Sequence, residues 1–146
     1  MDLFSLMYAS RSLIDPEGSE LSEIAETSQR KNGTRGLTGF LYYDNDIFLQ
    51  VLEGPRDMVM SLYAAIERDS RHDRVHLLGK HPIEQRVFGG WAMGLYDGAL
   101  DGGLIGQRFG PDILDRLQEI DEPEMMRFLR DLAVGRDDIY ALPSHG

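Results

Sequence analysis

Two periodicities alternate along residues 3–95. Short apolar runs of strand character and longer stretches with a helical stripe follow one another as strand, helix, strand, strand, helix, strand, strand. Two helical crossovers interleaved with neighbouring strands predict an α+β fold, a ferredoxin-like βαββαββ sandwich with a fifth strand and two C-terminal helices. A third observation sets the layering. In the second strand of the central hairpin, Phe48, Gln50 and Leu52 share one face while Ile47, Leu49 and Val51 share the other. A sheet that is apolar on both sides must be covered on both sides.

The elements follow in order. Residues 3–9 (LFSLMYA) read as a strand with Phe4, Leu6 and Tyr8 on one face. After Gly18-Ser19, Leu21, Ile24, Ala25 and Ser28 form a helical stripe that Gly33 is expected to stop. Residues 37–43 and 47–53 form a hairpin across the turn triplet Asp44-Asn45-Asp46. Gly54-Pro55 opens a second helix whose stripe is Val59, Leu62 and Ile66. Residues 74–80 and 86–95 read as two more strands, the last placing Val87, Gly89, Trp91, Met93 and Leu95 on one face. Residues 96–110 are glycine-rich and loop-like. A short helix is expected around Ile113, Leu114 and Leu117, and another from Pro123 with Met126, Leu129 and Leu132 apolar. Ala141–Gly146 reads as a frayed tail. The pattern divides the chain into a sandwich over 1–96 and a helical appendix packed on the sheet over 97–146, the latter too short for a typical independent domain. The crossover helices cover one sheet face. The appendix or a second subunit covers the other, so a homo-oligomer is expected.

Composition narrows the function classes. The 146 residues suffice for one domain with a real core. With 25 acidic against 15 basic residues and a net charge of −10, the chain lacks the basic stripe that nucleic acid or an anionic membrane surface demands. No cysteine is present, which removes disulfides, thiolate catalysis and zinc–sulfur sites. The N-terminus has no signal-peptide pattern and no apolar run approaches a membrane span, so a cytoplasmic setting is expected.

Two polar groups stand out from the apolar pattern. A side-chain amide such as Gln50 carries both donors and acceptors, and burying it unpaired costs about 1–3 kcal/mol. Tyr8 sits at the end of an equally apolar run. Taken singly, a tyrosine at a strand end is usually a core ring, a strand glutamine is usually exposed, and a tryptophan and methionine two apart are usually core. Asn32-Gly33 alone is a helix stop, and Asp69-Ser70-Arg71-His72 a charged helix end. Together they place a phenol and an amide on covered sheet faces with polar groups at both helix C-termini.

In this arrangement the chain resembles the BLUF family of blue-light sensors that use flavin. The likeness spans about residues 3–95 and rests on Tyr8-x-Ser10, Thr27-Ser28, Asn32, Leu37-Thr38-Gly39, FxQxLEG at Phe48–Gly54, RDxRH at Arg68–His72 and WxM at Trp91–Met93. The resemblance implies a flavin ring held between the two helices, FAD being the usual choice and FMN or riboflavin also compatible with motifs that address the ring. It implies that Tyr8 donates an electron and a proton, and that Gln50 bridges Tyr8 and the N5/O4 edge of the ring. Asn32 would bond the O2/O4 side, with Ser28 close by. Ile24 and Ile66 would sandwich the ring. Asp69, Arg71 and His72 would line its polar edge and the route to the ribityl-phosphate chain. Met93, with Trp91 beside it, would relay the signal to an unidentified partner protein. The family usually has an uncharged polar residue or histidine at position 31, where this chain has Lys31, so no role is carried over there. Two other classes compete with a non-enzymatic photoreceptor. A ferredoxin-like phosphatase would need an anion-cradling loop after the first strand, and Ser10–Gly18 offers only Arg11. A flavin-free interaction module would not need Tyr8, Asn32 and Gln50 together.

Overall fold

The computed structural model describes residues 2–44, 46–98 and 103–134. Five strands, β1 (Leu3–Ser12), β2 (Thr38–Asp44), β3 (Ile47–Pro55), β4 (His72–Ile83) and β5 (Gly94–Asp97), form one sheet in the order β4-β1-β3-β2-β5. The first four pair antiparallel and β5 joins the β2 edge in parallel. Helix α1 (Glu20–Arg35) connects β1 to β2 and helix α2 (Arg56–Glu67) connects β3 to β4, each crossing over the strand between. This is the ferredoxin-like α+β sandwich with a fifth strand. The turn triplet is only partly visible, because Asn45 lies outside the described residues, as does the tail at 141–146.

Both faces of β1 and β3 are buried, as their unbroken apolar runs require. On one side Phe4, Leu6, Tyr8, Leu41, Phe48 and Leu52 pack under the crossover helices with Ala25, Val59 and Tyr63. On the other, Met7, Phe40, Tyr42, Leu49 and Val51 meet the C-terminal segment: helix α3 (Leu104–Phe109), a 3-10 helix (Ile113–Glu119) and helix α4 (Glu122–Ala133). The chain's own C-terminal helices therefore fill the second face, and the apolar surface that suggested a second subunit is already occupied.

Several boundaries differ from expectation, each for a local reason. Gly33 does not stop α1; the helix runs on to Arg35 and ends at Gly36, whose φ of +68° supplies the left-handed turn that caps it. An exposed glycine inside a helix costs only about 1 kcal/mol, and the better cap three residues later wins. Strand β4 is longer than 74–80 because it pairs with the full length of β1. Pro55 ends β3 and precedes α2 rather than opening it. Within α2, Val59 and Tyr63 are buried and Leu62 and Ile66 only half-buried. The region expected as loop at 96–110 contains α3, whose Ile105 is buried. In α4 the buried stripe is Met125, Phe128, Leu129 and Leu132, so Met125 replaces Met126. The largest departure is the last strand. Residues 86–93 are not a continuous strand: a turn closed by Trp91 N–H donating to Phe88 O (3.2 Å) interrupts them at Gly89-Gly90, Trp91 makes an isolated bridge, and ladder pairing resumes at Gly94.

Two outcomes follow from this packing. Leu129 is fully buried in the second core, so Leu129→Ala should lower the denaturant midpoint by an amount equivalent to about 2–5 kcal/mol with an unchanged m-value. His81 of β4 reaches Glu122 of α4 at 3.1 Å, and this hydrogen bond holds the imidazole above its ordinary value. A group whose folded value is raised contributes stability that is full below its unfolded value and is lost as pH rises through the folded one. The melting-temperature advantage of wild type over His81→Gln should therefore be present at about pH 5.5 and absent by about pH 8.5. It should be small, since the His81 side chain is 47% exposed and solvent screens the pair.

Candidate functional site

The antiparallel register of β1 and β3 sets Tyr8 directly opposite Gln50. Directly opposed side chains lie on the same sheet face about 4.5–5.5 Å apart at Cβ. Here the Tyr8 hydroxyl donates to Gln50 Oε1 at 2.5 Å, and Gln50 Nε2 points to Met93 Sδ at 3.5 Å. Both are nearly inaccessible to solvent, at 4% and 5% exposure. Gln50 is thus satisfied on its acceptor side by a phenol and on its donor side only by a thioether, a weak acceptor. Burial, aided by Tyr63 and Asp69, pushes the Tyr8 phenol well above its ordinary range, so it holds its proton at neutral pH.

Above this pair lies an open-mouthed cleft with about 200 Å³ of internal space. Tyr8, Leu41, Phe48 and Gln50 form its floor. One wall is a single face of α1, where Ile24, Thr27, Ser28, Lys31 and Asn32 recur at helical spacing. The other wall is Leu62, Ala65 and Ile66 of α2. Asp69, Arg71 and His72 close one end. Ile24 and Ile66 thus offer aliphatic surface from opposite helices, amide and phenol groups stand at the floor, and two cations, Lys31 and Arg71, line the cleft. This donor set fits a flat heteroaromatic ring with an anionic tail.

The predicted site residues divide into two groups. Tyr8, Ile24, Ser28, Asn32, Gln50, Ile66, Asp69, Arg71 and His72 all line the one cleft. Asn32 is buried and its Nδ2 donates to Ala92 O at 3.1 Å. Arg71 is paired with Asp69, and that bond holds the Asp69 carboxyl below its usual range. His72 is fixed at both ring nitrogens, by Ser10 Oγ at 2.7 Å and Ile66 O at 2.6 Å. A carbonyl only accepts, so Nε2 carries a proton and donates to Ile66 O. Met93 does not line the cleft but is buried beneath it, in contact with Gln50.

Trp91 corrects the expectation that it shares a face with Met93. Its ring packs on the far side of the sheet, against Phe40 (5.8 Å) and Phe88 (6.4 Å), in the core under α4. The reason is the broken strand: without continuous extension, residues two apart no longer point the same way. Sequence reading also missed Gln29, Ser10 and Tyr63. Gln29 Nε2 donates to Met93 O at 3.0 Å, and its Oε1 is, among the described side chains, the one buried polar atom without a partner. Ser10 fixes His72, and Tyr63 packs 5.7 Å from the Tyr8 ring. Ser10 is on the Tyr8 face by simple alternation, a signal available in the sequence; Gln29 lies outside the cleft stripe and had none. Among the described residues no cluster of acidic or histidine side chains could hold a metal, and no helix is long and apolar enough to cross a membrane.

Comparisons with known proteins agree with this geometry. The photoactivated adenylate cyclase subunit beta of Euglena gracilis is 37% identical over 86 residues, 59% of this chain but 10% of that protein. The chain therefore spans about a tenth of the length of that curated relative. Among solved structures, the dark state of BlrB, a BLUF protein, is 30% identical with a TM-score of 0.72 over 89% of this chain and 93% of that one. The ground state of BlsA is 25% identical with a TM-score of 0.77, over 92% and 89%. Residues 3–94 match the BLUF family, described as sensors of blue light using FAD, and with well over half its length matched the chain belongs to that family.

Proposed function

We propose that this chain is a cytoplasmic blue-light receptor, not an enzyme, that binds FAD in the cleft between α1 and α2 and reports illumination to a partner protein through its C-terminal segment. The observation that carries the reading is the buried chain Tyr8–Gln50–Met93: a phenol oxygen 2.5 Å from the amide oxygen to which it donates, on an amide whose own N–H rests on a weak thioether acceptor. Ile24 and Ile66 would hold the ring, Asn32, Ser28 and Gln50 would address its polar edge, and Asp69, Arg71 and His72 would border the tail. Lys31 and Arg71 favour a phosphate-bearing flavin over riboflavin. The bound flavin supplies absorption of blue light and the oxidising power of its excited state.

Everything else falls to the protein. Tyr8 gives up an electron and passes its proton along the short bond to Gln50 Oε1. Its raised pKa keeps that proton in place until then. Gln50 can reverse its hydrogen-bonding polarity by rotation or by tautomerisation, because it holds both donor and acceptor. Rotation would turn the Nε2 protons away from Met93 Sδ, and tautomerisation, with a proton gained at Oε1 and one given up from Nε2 to the bound ring, would leave a single N–H there. Met93 is the end of a segment that α1 grips by two side-chain amides, Gln29 to Met93 O and Asn32 to Ala92 O. The same segment carries Trp91 into the core beneath α4. A hydrogen-bond change in the cleft is thus biased toward the helical appendix, residues 97–146, which we read as the output element.

An absorption spectrum before and after blue light tests the reading. Purified protein should be yellow, show a reversible shift of the flavin band to the red, and release FAD on denaturation; FMN in the extract would revise the cofactor alone. Tyr8→Phe should bind flavin and lose the shift. Gln50→Leu should also lose it, and a full photocycle in that variant would exclude the assigned switch.

A further inference from the structure

We propose that Glu53 is a positioning residue for the photoreaction, its carboxylate setting where the 86–93 segment begins and so where Met93 meets Gln50. The inference rests on the photoreceptor reading given above. Strand β3 turns Gln50 toward the cleft and, three residues on, Glu53 toward the opposite side. Glu53 is fully buried at 0% exposure. Its Oε2 accepts from Val87 N at 2.6 Å, and its Oε1 accepts from Phe88 N at 2.9 Å and from Thr38 Oγ1 at 3.1 Å. Arg86 completes the clamp, donating to Thr38 Oγ1 (2.8 Å), Glu53 O (3.2 Å) and Gly36 O (2.7 Å).

This clamp has a specific consequence for the segment. Residues 86–88 lie outside any strand, and the carboxylate takes the place of the ladder by accepting two successive backbone N–H groups. Next comes the Phe88–Trp91 turn over Gly89-Gly90, then Trp91 O, which accepts from Gly39 N at 3.3 Å, and then Ala92 and Met93 under the α1 amides. The segment therefore has a fixed end at Glu53 and a switched end at Met93. Both the fixed point and the switching amide ride on the same strand. Glu53 touches neither the cleft nor the Tyr8–Gln50 pair, so it acts on the return of Met93 to Gln50 rather than on the light-driven transfer.

The test uses flavin-loaded full-length protein and reads two quantities, the size of the red shift at the end of illumination and the rate of recovery in the dark. Glu53→Gln keeps the shape but weakens the grip on one N–H; it should keep the full shift and slow recovery at least threefold, with Glu53→Ala slower still. Thr38→Val, which removes one arm of the clamp, should slow recovery about twofold. Val59→Ala, a core truncation on the other face of the sheet from the Glu53 carboxylate, should lower the melting temperature and leave recovery unchanged, which separates positioning from loss of stability. Recovery equal to wild type in Glu53→Gln, or slowing of the same size in Val59→Ala, overturns the proposal. If Glu53→Gln fails to bind flavin, Thr38→Val decides, and unchanged recovery there overturns it. A wild-type protein with no red shift would instead overturn the photoreceptor reading itself.

Discussion

The antiparallel register between β1 and β3 is the constraint on which the site depends. It places Tyr8 and Gln50 side by side on one face of the two most buried strands. A one-residue slip would turn one strand over relative to the other and move the phenol and the amide to opposite sides of the sheet. The hydrophobic pattern forbids that slip on both faces, since each is packed. Polar groups that would be costly in an apolar floor are thereby fixed in mutual hydrogen bonding, with one donor, Gln50 Nε2, left on an inferior acceptor. That inequality suits the proposed switching role, since the amide is held firmly on one side and loosely on the other.

The two-sided sheet gives the switch somewhere to report. The cleft and its helices occupy one face and the C-terminal helices the other, and the sheet between is too tightly paired to transmit a local change by bending. In the proposed reading the route runs around the β2 edge, where the chain crosses from Trp91 on the far side to Met93 on the cleft side. Gly39 makes that crossing possible. A Cβ there would lie 2.1 Å from Val51 O and 3.3 Å from Met93 Cε, so a larger residue would spread the β2–β3 pair at the point where Trp91 is also bonded.

Much of this was legible in the sequence, and what was not has identifiable causes. Strand and helix order, the two-faced apolar pattern, and the anomaly of Gln50 and Tyr8 all follow from local periodicity. The nine cleft residues could be named because the family resemblance carried them over position by position, whereas strand alternation by itself singled out only Gln50 and Tyr8. The 86–93 segment was misread as a strand because its composition is that of one: alternating large and small residues with an aromatic. What breaks it is nonlocal. The Glu53 carboxylate, more than thirty residues earlier, supplies the hydrogen bonds that a neighbouring strand would otherwise give. With that ladder unnecessary, the chain can turn at Gly89-Gly90, and Trp91 and Met93 part company.

Glu53 also shows why a buried charge is tolerated in so apolar a setting. Burial alone raises its carboxyl above the usual range, and the hydrogen bonds from Val87, Phe88 and Thr38, with Arg86 nearby, pull it back toward the ionised form. An apolar side chain in its place would avoid the desolvation cost but would leave two backbone N–H groups of the segment unpaired in the interior. Retaining a carboxylate there means accepting a conditional anchor, strong only while all its partners are present. If the segment shifts at one end and returns, as proposed above, it needs such an anchor at the other, and a continuous β-ladder, which distributes the same bonding over many residues, would not let one end move without the rest.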